Sequence, residues 1–164
     1  MKIVVSDCSP LRTLVQLGLL SALDTLFEVV CVPPAVVAEA YREVPGAPAI
    51  DLTVLRSVRF VSPQATDEVA RLRSTRLGAG ESEAMVLALE IHADGVLMDD
   101  GPARKAAAAM GLTSLGVLGL LVRAKRQGLV GAIAPLLDRL SREIDFRVSA
   151  ALREQVLRSV GEEA

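Results

Sequence analysis

The sequence predicts an α/β fold of three layers, with helices on both faces of a mostly parallel sheet. Three observations predict it. Short β-branched runs recur at residues 3–5, 29–32, 58–61 and 95–98, each suited to a strand covered on both faces. Longer stretches with helical apolar spacing separate them. Apolar residues make up 51% of the chain and aromatics only 2%. The core must therefore be built from Leu, Val, Ala and Ile, which suit alternating helices and strands.

The elements follow in order. Ile3-Val4-Val5 is the first strand, and residues 6–9 form the turn after it. Pro10 sits where a first helical residue would, with Ser9 as its N-cap. Leu11, Leu14, Val15 and Leu17 give that helix its apolar stripe, and Gly18 breaks it. Residues 21–27 read as a short helix and Val29-Val30-Cys31-Val32 as the second strand. Pro33-Pro34 starts a helix through Val36, Val37, Ala40 and Tyr41. Residues 45–48 are a loop, and residues 50–55 a weaker segment.

Val58, Phe60 and Val61 mark a third strand, ended by Pro63. A polar helix runs from Thr66 to near Arg76. Gly78-Ala79-Gly80 reads as a flexible turn, and a strong helix starts at Glu81. Gly95-Val96-Leu97-Met98 is the fourth strand, ending at Asp99-Asp100. Gly101-Pro102 leads into an Ala-rich helix over residues 103–110, and residues 112–114 form a short last strand. Residues 116–128 are helical, with Arg123, Lys125 and Arg126 where positive charge suits the helix dipole. Residues 135–144 and 149–160 read as two more helices. The whole chain, residues 1–164, is expected to be one domain, to which the helices from about residue 133 can be an appended extension.

Charge narrows the function. The net charge is −2 and the pI about 5.5. There is no general basic surface, so any grip on nucleic acid must come from a local patch. The two cysteines, Cys8 and Cys31, sit inside apolar segments. They read as small hydrophobes in a reducing compartment. No CxxC motif or Cys/His set suggests zinc. The opening apolar run is too short for a signal peptide, and no stretch reaches the roughly 18 residues that a membrane span needs. A soluble, cytoplasmic protein is expected.

The carboxylates carry the chemistry. Ligands of open α/β sheets bind beyond the carboxyl ends of the strands. Asp7 follows the first strand and Asp99-Asp100 the fourth, so all should open onto one edge. Glu81 and Glu83 stand in the first turn of the helix after the Gly-x-Gly loop. They lie roughly 200° apart around it, so one can face the site while the other caps or pairs. Glu39 lies about 300° around the helix from Val36, hence close to its core-facing side, where an unpaired carboxylate is costly. Each alone has an ordinary explanation as a cap, turn former or dipole partner. Together they would repel, and some would take up protons unless a cation intervened. A hard divalent ion such as Mg²⁺ accepts such oxygen ligands. It can activate water and stabilise charge on a phosphate.

The ordered motifs Ser6-Asp7-Cys8-Ser9-Pro10-Leu11, Pro34-x-x-Val37-x-Glu39, Gly78-x-Gly80-Glu81-x-Glu83-Ala84, Asp99-Asp100-x-x-Ala103-Arg104 and Thr113-Ser114-Leu115-Gly116-Val117-Leu118 resemble PIN-domain proteins. The resemblance spans nearly the whole chain. It is to a bacterial and archaeal branch of predicted nucleic-acid-binding PIN proteins, related to VapC-type toxin ribonucleases. It implies a PIN-like three-layer α/β/α fold and an acidic pocket for Mg²⁺ or Mn²⁺. By this resemblance Asp7, Glu39, Glu83 and Asp99 would be catalytic, and Glu81 and Asp100 would join them as metal ligands. Which member of each adjacent pair points inward stays open. Ser9 and Ser114 match hydroxyl positions lining the pocket. Arg104, with Lys105 beside it, could meet a substrate phosphate.

The implied activity is metal-dependent hydrolysis of RNA phosphodiester bonds. The chain could be the toxin of a toxin–antitoxin pair, with an antitoxin protein as partner and a homodimer as its assembly. The alternative is a catalytically weak PIN-like module that binds RNA or protein. Two departures stand out. The third acid is Glu where most PIN domains have Asp, and Asp7 is present where this branch sometimes lacks it. The basic stretch Arg71, Arg73 and Arg76 reads as a solvated helix face, and His92 as structural. A haloacid-type phosphatase fits poorly, because Asp7 is followed by Cys-Ser-Pro instead of x-Asp-x-Thr. A receiver domain fits poorly for want of an isolated Asp after the third strand and a Lys after the fifth.

Overall fold

A computed structural model describes residues 1–43, 45 and 49–163. Five strands, β1 (Ile3–Ser6), β2 (Val29–Val32), β3 (Val58–Phe60), β4 (Gly95–Leu97) and β5 (Ser114–Leu115), form one sheet. Its order is β3-β2-β1-β4-β5, and every pairing is parallel. The helices are α1 (Cys8–Leu17), α2 (Leu23–Leu26), α3 (Pro34–Ala40), α4 (Thr66–Arg73), α5 (Ala79–Glu90), α6 (Gly101–Ala109), α7 (Val117–Arg126), α8 (Ala134–Glu143) and α9 (Ala150–Ser159). The expected three-layer α/β/α architecture is therefore present.

Strand periodicity divides the core into two layers. Val4, Val30, Val32 and Leu97 point to one face and are covered by α1, α2, α3 and α7. Val5, Cys31, Val96 and Met98 point to the other, under α5 and α6. Helix α5 is buried from Ala84 to Ala88, as a helix apolar on all sides must be. A third cluster joins Leu137, Leu140 and Leu157 of α8 and α9 to Leu17, Val117 and Leu121. Among the described residues, no helix is long and apolar enough to cross a membrane.

The element order follows the sequence expectation, with local differences. Helix α1 begins at Cys8, and Asp7, not Ser9, occupies its N-cap position. Gly18 ends it in the left-handed region, with φ of 74°. Residues 21–27 hold a 3₁₀ turn followed by α2. The segment at residues 50–55 contains another 3₁₀ turn. Helix α5 starts at Ala79, so Gly80 lies inside its first turn instead of in a flexible loop. Glu81 makes this possible by accepting the Gly78 N–H at 2.7 Å. Strand β5 begins two residues later than expected, at Ser114, and extends to Leu115, which pairs with Leu97. The loop expected at residues 45–48 lies, apart from Pro45, outside the described residues.

Candidate active site

The strand order places a topological switch point between β1 and β4. The chain leaves β1 toward β2, on one side, and reaches β5 from β4 on the other. Such a point leaves a crevice beyond the carboxyl ends of the two strands. Asp7 follows β1 and Asp99-Asp100 follow β4. The Asp7 N–H donates to the Leu97 carbonyl at 3.0 Å, which ties the two strand ends together.

Around that crevice lies a cavity of about 710 Å³, lined by the carboxylates of Asp7, Glu39, Glu81 and Asp100 together with Ser9. Each acid arrives from a different element. Asp7 is held at the mouth of α1, where the Ser9 hydroxyl donates to its Oδ2 at 3.2 Å. Asp100 caps α6 by accepting the Ala103 N–H at 3.0 Å. Glu39 projects from α3. It is exposed and turned toward the cavity, which removes the burial cost its place beside Val36 suggested. Glu81 comes from the first turn of α5.

Gly80 brings them together. A Cβ built there would lie 3.0 Å from Asp7 Oδ1, 3.1 Å from Val36 Cγ2 and 3.6 Å from Glu39 Oε2. The absence of a side chain lets α5 approach Asp7 and Val36 without crowding them.

Electrostatics mark the cluster. Asp7 is 6% exposed. Burial raises its pKa against the opposing backbone of Cys8 and Ser9 and the Ser9 hydroxyl, and the charge of Asp100 adds to the rise. The Glu81 pKa is also raised, first by burial and then by Asp7, Asp100 and Glu39, against the Gly78 N–H. Burial pushes the neighbouring Cys8 thiol up to about 12, so it stays protonated and inert near neutral pH.

The other expected site residues lie elsewhere. Glu83 does not line the cavity. Its Oε2 accepts the Ala35 N–H of α3 at 2.7 Å, and Glu81 is the member of the pair that lines the cavity. Asp99 turns away from Asp100. Its Oδ1 accepts the Val117 N–H at 2.9 Å, and its Oδ2 is buried with no hydrogen-bond partner. Asp99 lines a second, adjoining cavity with Arg104 and Ser114. It is still close enough to Asp7 for that charge to help raise its pKa, after burial and against the Val117 N–H and Arg104. Adjacent residues after a strand point to opposite sides, so the Asp99-Asp100 pair is split between two cavities.

Two arginines of the acidic cavity were missed in the sequence. Arg12 and Arg42 both line it. The Arg12 Nη2 donates to the carbonyls of Glu39 at 2.5 Å and Arg42 at 3.1 Å, so it braces α1 against the end of α3. One signal existed: Arg12 stands three residues after Ser9, hence on the same face of its helix. His92 is exposed at the end of α5, with φ of 49°.

The donors fit a hard divalent cation. They are carboxylate and hydroxyl oxygens in a space kept open by Gly80, the chemistry Mg²⁺ and Mn²⁺ prefer. As the acids stand, no three Asp, Glu, His or Cys side chains among the described residues come close enough to form a metal-ligand group.

A parallel sheet between helix layers, with acids from separate elements at its switch point, defines a nuclease-type fold of the PIN class. A family model described as PIN domain, DUF3368, matches residues 3–162, and the chain belongs to this PIN-domain family. PIN domains are generally nucleases and typically use divalent metals. No curated protein and no solved structure matches the chain.

Proposed function

We propose that this protein is a metal-dependent endoribonuclease working at the cavity of Asp7, Glu39, Glu81 and Asp100. One observation carries the reading: four carboxylates from four elements face one space at the switch point of the sheet. Structural acids are normally matched by partners. Asp7 and Glu81 instead have pKa values raised, first by burial and then by neighbouring carboxylates, the pattern of a functional site.

A bound Mg²⁺ or Mn²⁺ would supply an activated water and a counter-charge for the phosphate. Asp7, Glu39, Glu81 and Asp100 would hold that ion. Ser9 orients the Asp7 carboxylate through its hydroxyl. Arg12 and Arg42 bring positive charge to the same rim, where it can meet the phosphate backbone. Asp99, half-buried, accepts the Val117 N–H and so fixes the first turn of α7. Under this reading an antitoxin partner, a toxin role, homodimerisation and a cytoplasmic setting follow from the resemblance to VapC-type toxins.

A second reading, a PIN-like module that binds RNA or protein with weak catalysis, draws on the spread of the acids into no ready ligand group. Metal linkage separates the two. Millimolar Mn²⁺ should raise the melting temperature. An ion at about 100 times its Kd adds roughly 2.7 kcal/mol, about 5–10 °C for a chain of this size. The wild type should cut single-stranded RNA only with the metal. No thermal shift and no cleavage would hand the case to the binding module.

A further inference from the structure

The cavity on the far side of Asp99 has a chemistry of its own. It measures about 380 Å³ and is lined by Asp99, Arg104, Ser114, Phe146, Arg147 and Leu152, among others. That volume suits one small-molecule moiety. Its charge balance is the reverse of its neighbour's. The acidic cavity sets Asp7, Glu39, Glu81 and Asp100 against Arg12 and Arg42. The second sets Asp99 alone against Arg104 and Arg147. On a chain of net charge −2, a polyanion needs such a local cationic patch.

The apolar wall is equally specific. The chain has only three phenylalanines, one tyrosine and no tryptophan, yet one of those rings stands here. Its position is built. The Phe146 N–H donates to the Leu140 carbonyl at 3.0 Å, and Asp145 before it turns the chain in the left-handed region, with φ of 52°. Phe146 is half-buried against the α8–α9 cluster. Leu152 remains 38% exposed. An aromatic ring beside paired arginines is the pattern by which proteins hold single-stranded nucleic acid: the ring stacks a base and the guanidiniums meet the backbone.

We propose that this second cavity is a nucleotide subsite, in which Arg104 and Arg147 hold a phosphate adjoining the one to be cut while Phe146 and Leu152 receive its base. The inference rests on the nuclease reading and extends it. The strand would cross the switch point from the Arg12–Arg42 side to the Arg104–Arg147 side. The acids lie between, and Asp99 and Asp100 point to opposite sides of the path. Helices α8 and α9 would then shape substrate selection as well as stability. Base stacking is sequence-tolerant, so the subsite would favour unpaired RNA over duplex without reading a unique base.

The test uses the full chain. A fluorescein-labelled six-nucleotide single-stranded RNA is titrated, with Mg²⁺ present, into Asp7→Asn protein, which binds without cutting. Phe146→Leu keeps the apolar packing but removes the stacking face, and Arg147→Gln removes a surface charge. Each, added to Asp7→Asn, should weaken binding about five-fold or more. RNA carrying 5-iodouridine should cross-link on irradiation to the peptide containing Phe146. Unchanged affinities and no such cross-link, with RNA still cut by the wild type, overturn the subsite and leave the nuclease standing. Weakening by Arg147→Gln alone, without the cross-link, overturns the base pocket. A wild type that neither binds nor cuts RNA overturns both readings.

Discussion

Asp7 is held at a cost to the fold. Its carboxylate is buried, faces Asp100 and has a raised pKa. The folded state therefore binds its proton more tightly than the unfolded chain does. Stability from this group is full below the ordinary Asp value of 3.8 and is lost as pH rises through the higher folded value. Asp7→Asn removes the charge and keeps the shape. In metal-free buffer at pH 7 it should stabilise the protein by about 0.5–2 kcal/mol, while abolishing RNA cleavage and the Mn²⁺ shift. The advantage of Asn over Asp should vanish as melts are repeated toward pH 4; a gap that widens in acid contradicts the assignment. Gly80 makes the complementary case. Gly80→Ala gains about 1 kcal/mol of helix propensity, but its methyl would press on Asp7 Oδ1 and Val36 Cγ2. The melting temperature should move by no more than about 3 °C, yet cleavage and metal stabilisation should fall together.

At the scale of elements, one device recurs. Several helices start after residues that have no side-chain acceptor, among them Pro33 before α3, Ala65 before α4 and Ile133 before α8. In these three a glutamate from elsewhere supplies the acceptor. Glu83 of α5 takes the Ala35 N–H. Glu90 at the other end of α5 takes the N–H groups of Gln64 and Ala65. Glu162 takes those of Ile133 and Ala134. Anionic oxygens there satisfy orphan donors and oppose the positive end of the helix dipole. Because α3 carries Glu39, its cap also positions the site. Glu83→Ala should cost about 1–3 kcal/mol, read as a lower urea midpoint. It should also weaken cleavage by letting α3 shift. Full activity with unchanged stability would show that the Ala35 contact does neither.

At the scale of the molecule, the question is whether the C-terminal helices fold with the sheet. Leu137 and Leu140 interlock with Leu17 of α1 and with Val117 and Leu121 of α7. Lys125 of α7 also pairs with Glu162 at 3.2 Å. Helix α7 packs on the sheet through Leu120 and on α8 through Leu121. Leu137→Ala should therefore cost about 2–5 kcal/mol and move a single unfolding transition followed by circular dichroism. Two separated transitions would mark α8 and α9 as an independent appendage.

The linear order of residues already specified the alternation of layers, because β-branched runs and helical stripes differ in period and each forms locally. It also specified that Asp7 and the Asp99-Asp100 pair would share an edge, since both end parallel strands. It left undecided what depends on direction in space. Which of Glu81 and Glu83 lines the cavity turned on where α5 begins, a start that Glu81 holds by accepting the Gly78 N–H. Asp100 against Asp99 turned on which side of β4 each carboxylate leaves. Arg12, Phe146 and Arg147 belong to motifs of no local kind and gain meaning only from the cavities they line. Periodicity is encoded between near neighbours in the chain, whereas a site is a meeting of distant side chains whose geometry exists only once the sheet has ordered its strands.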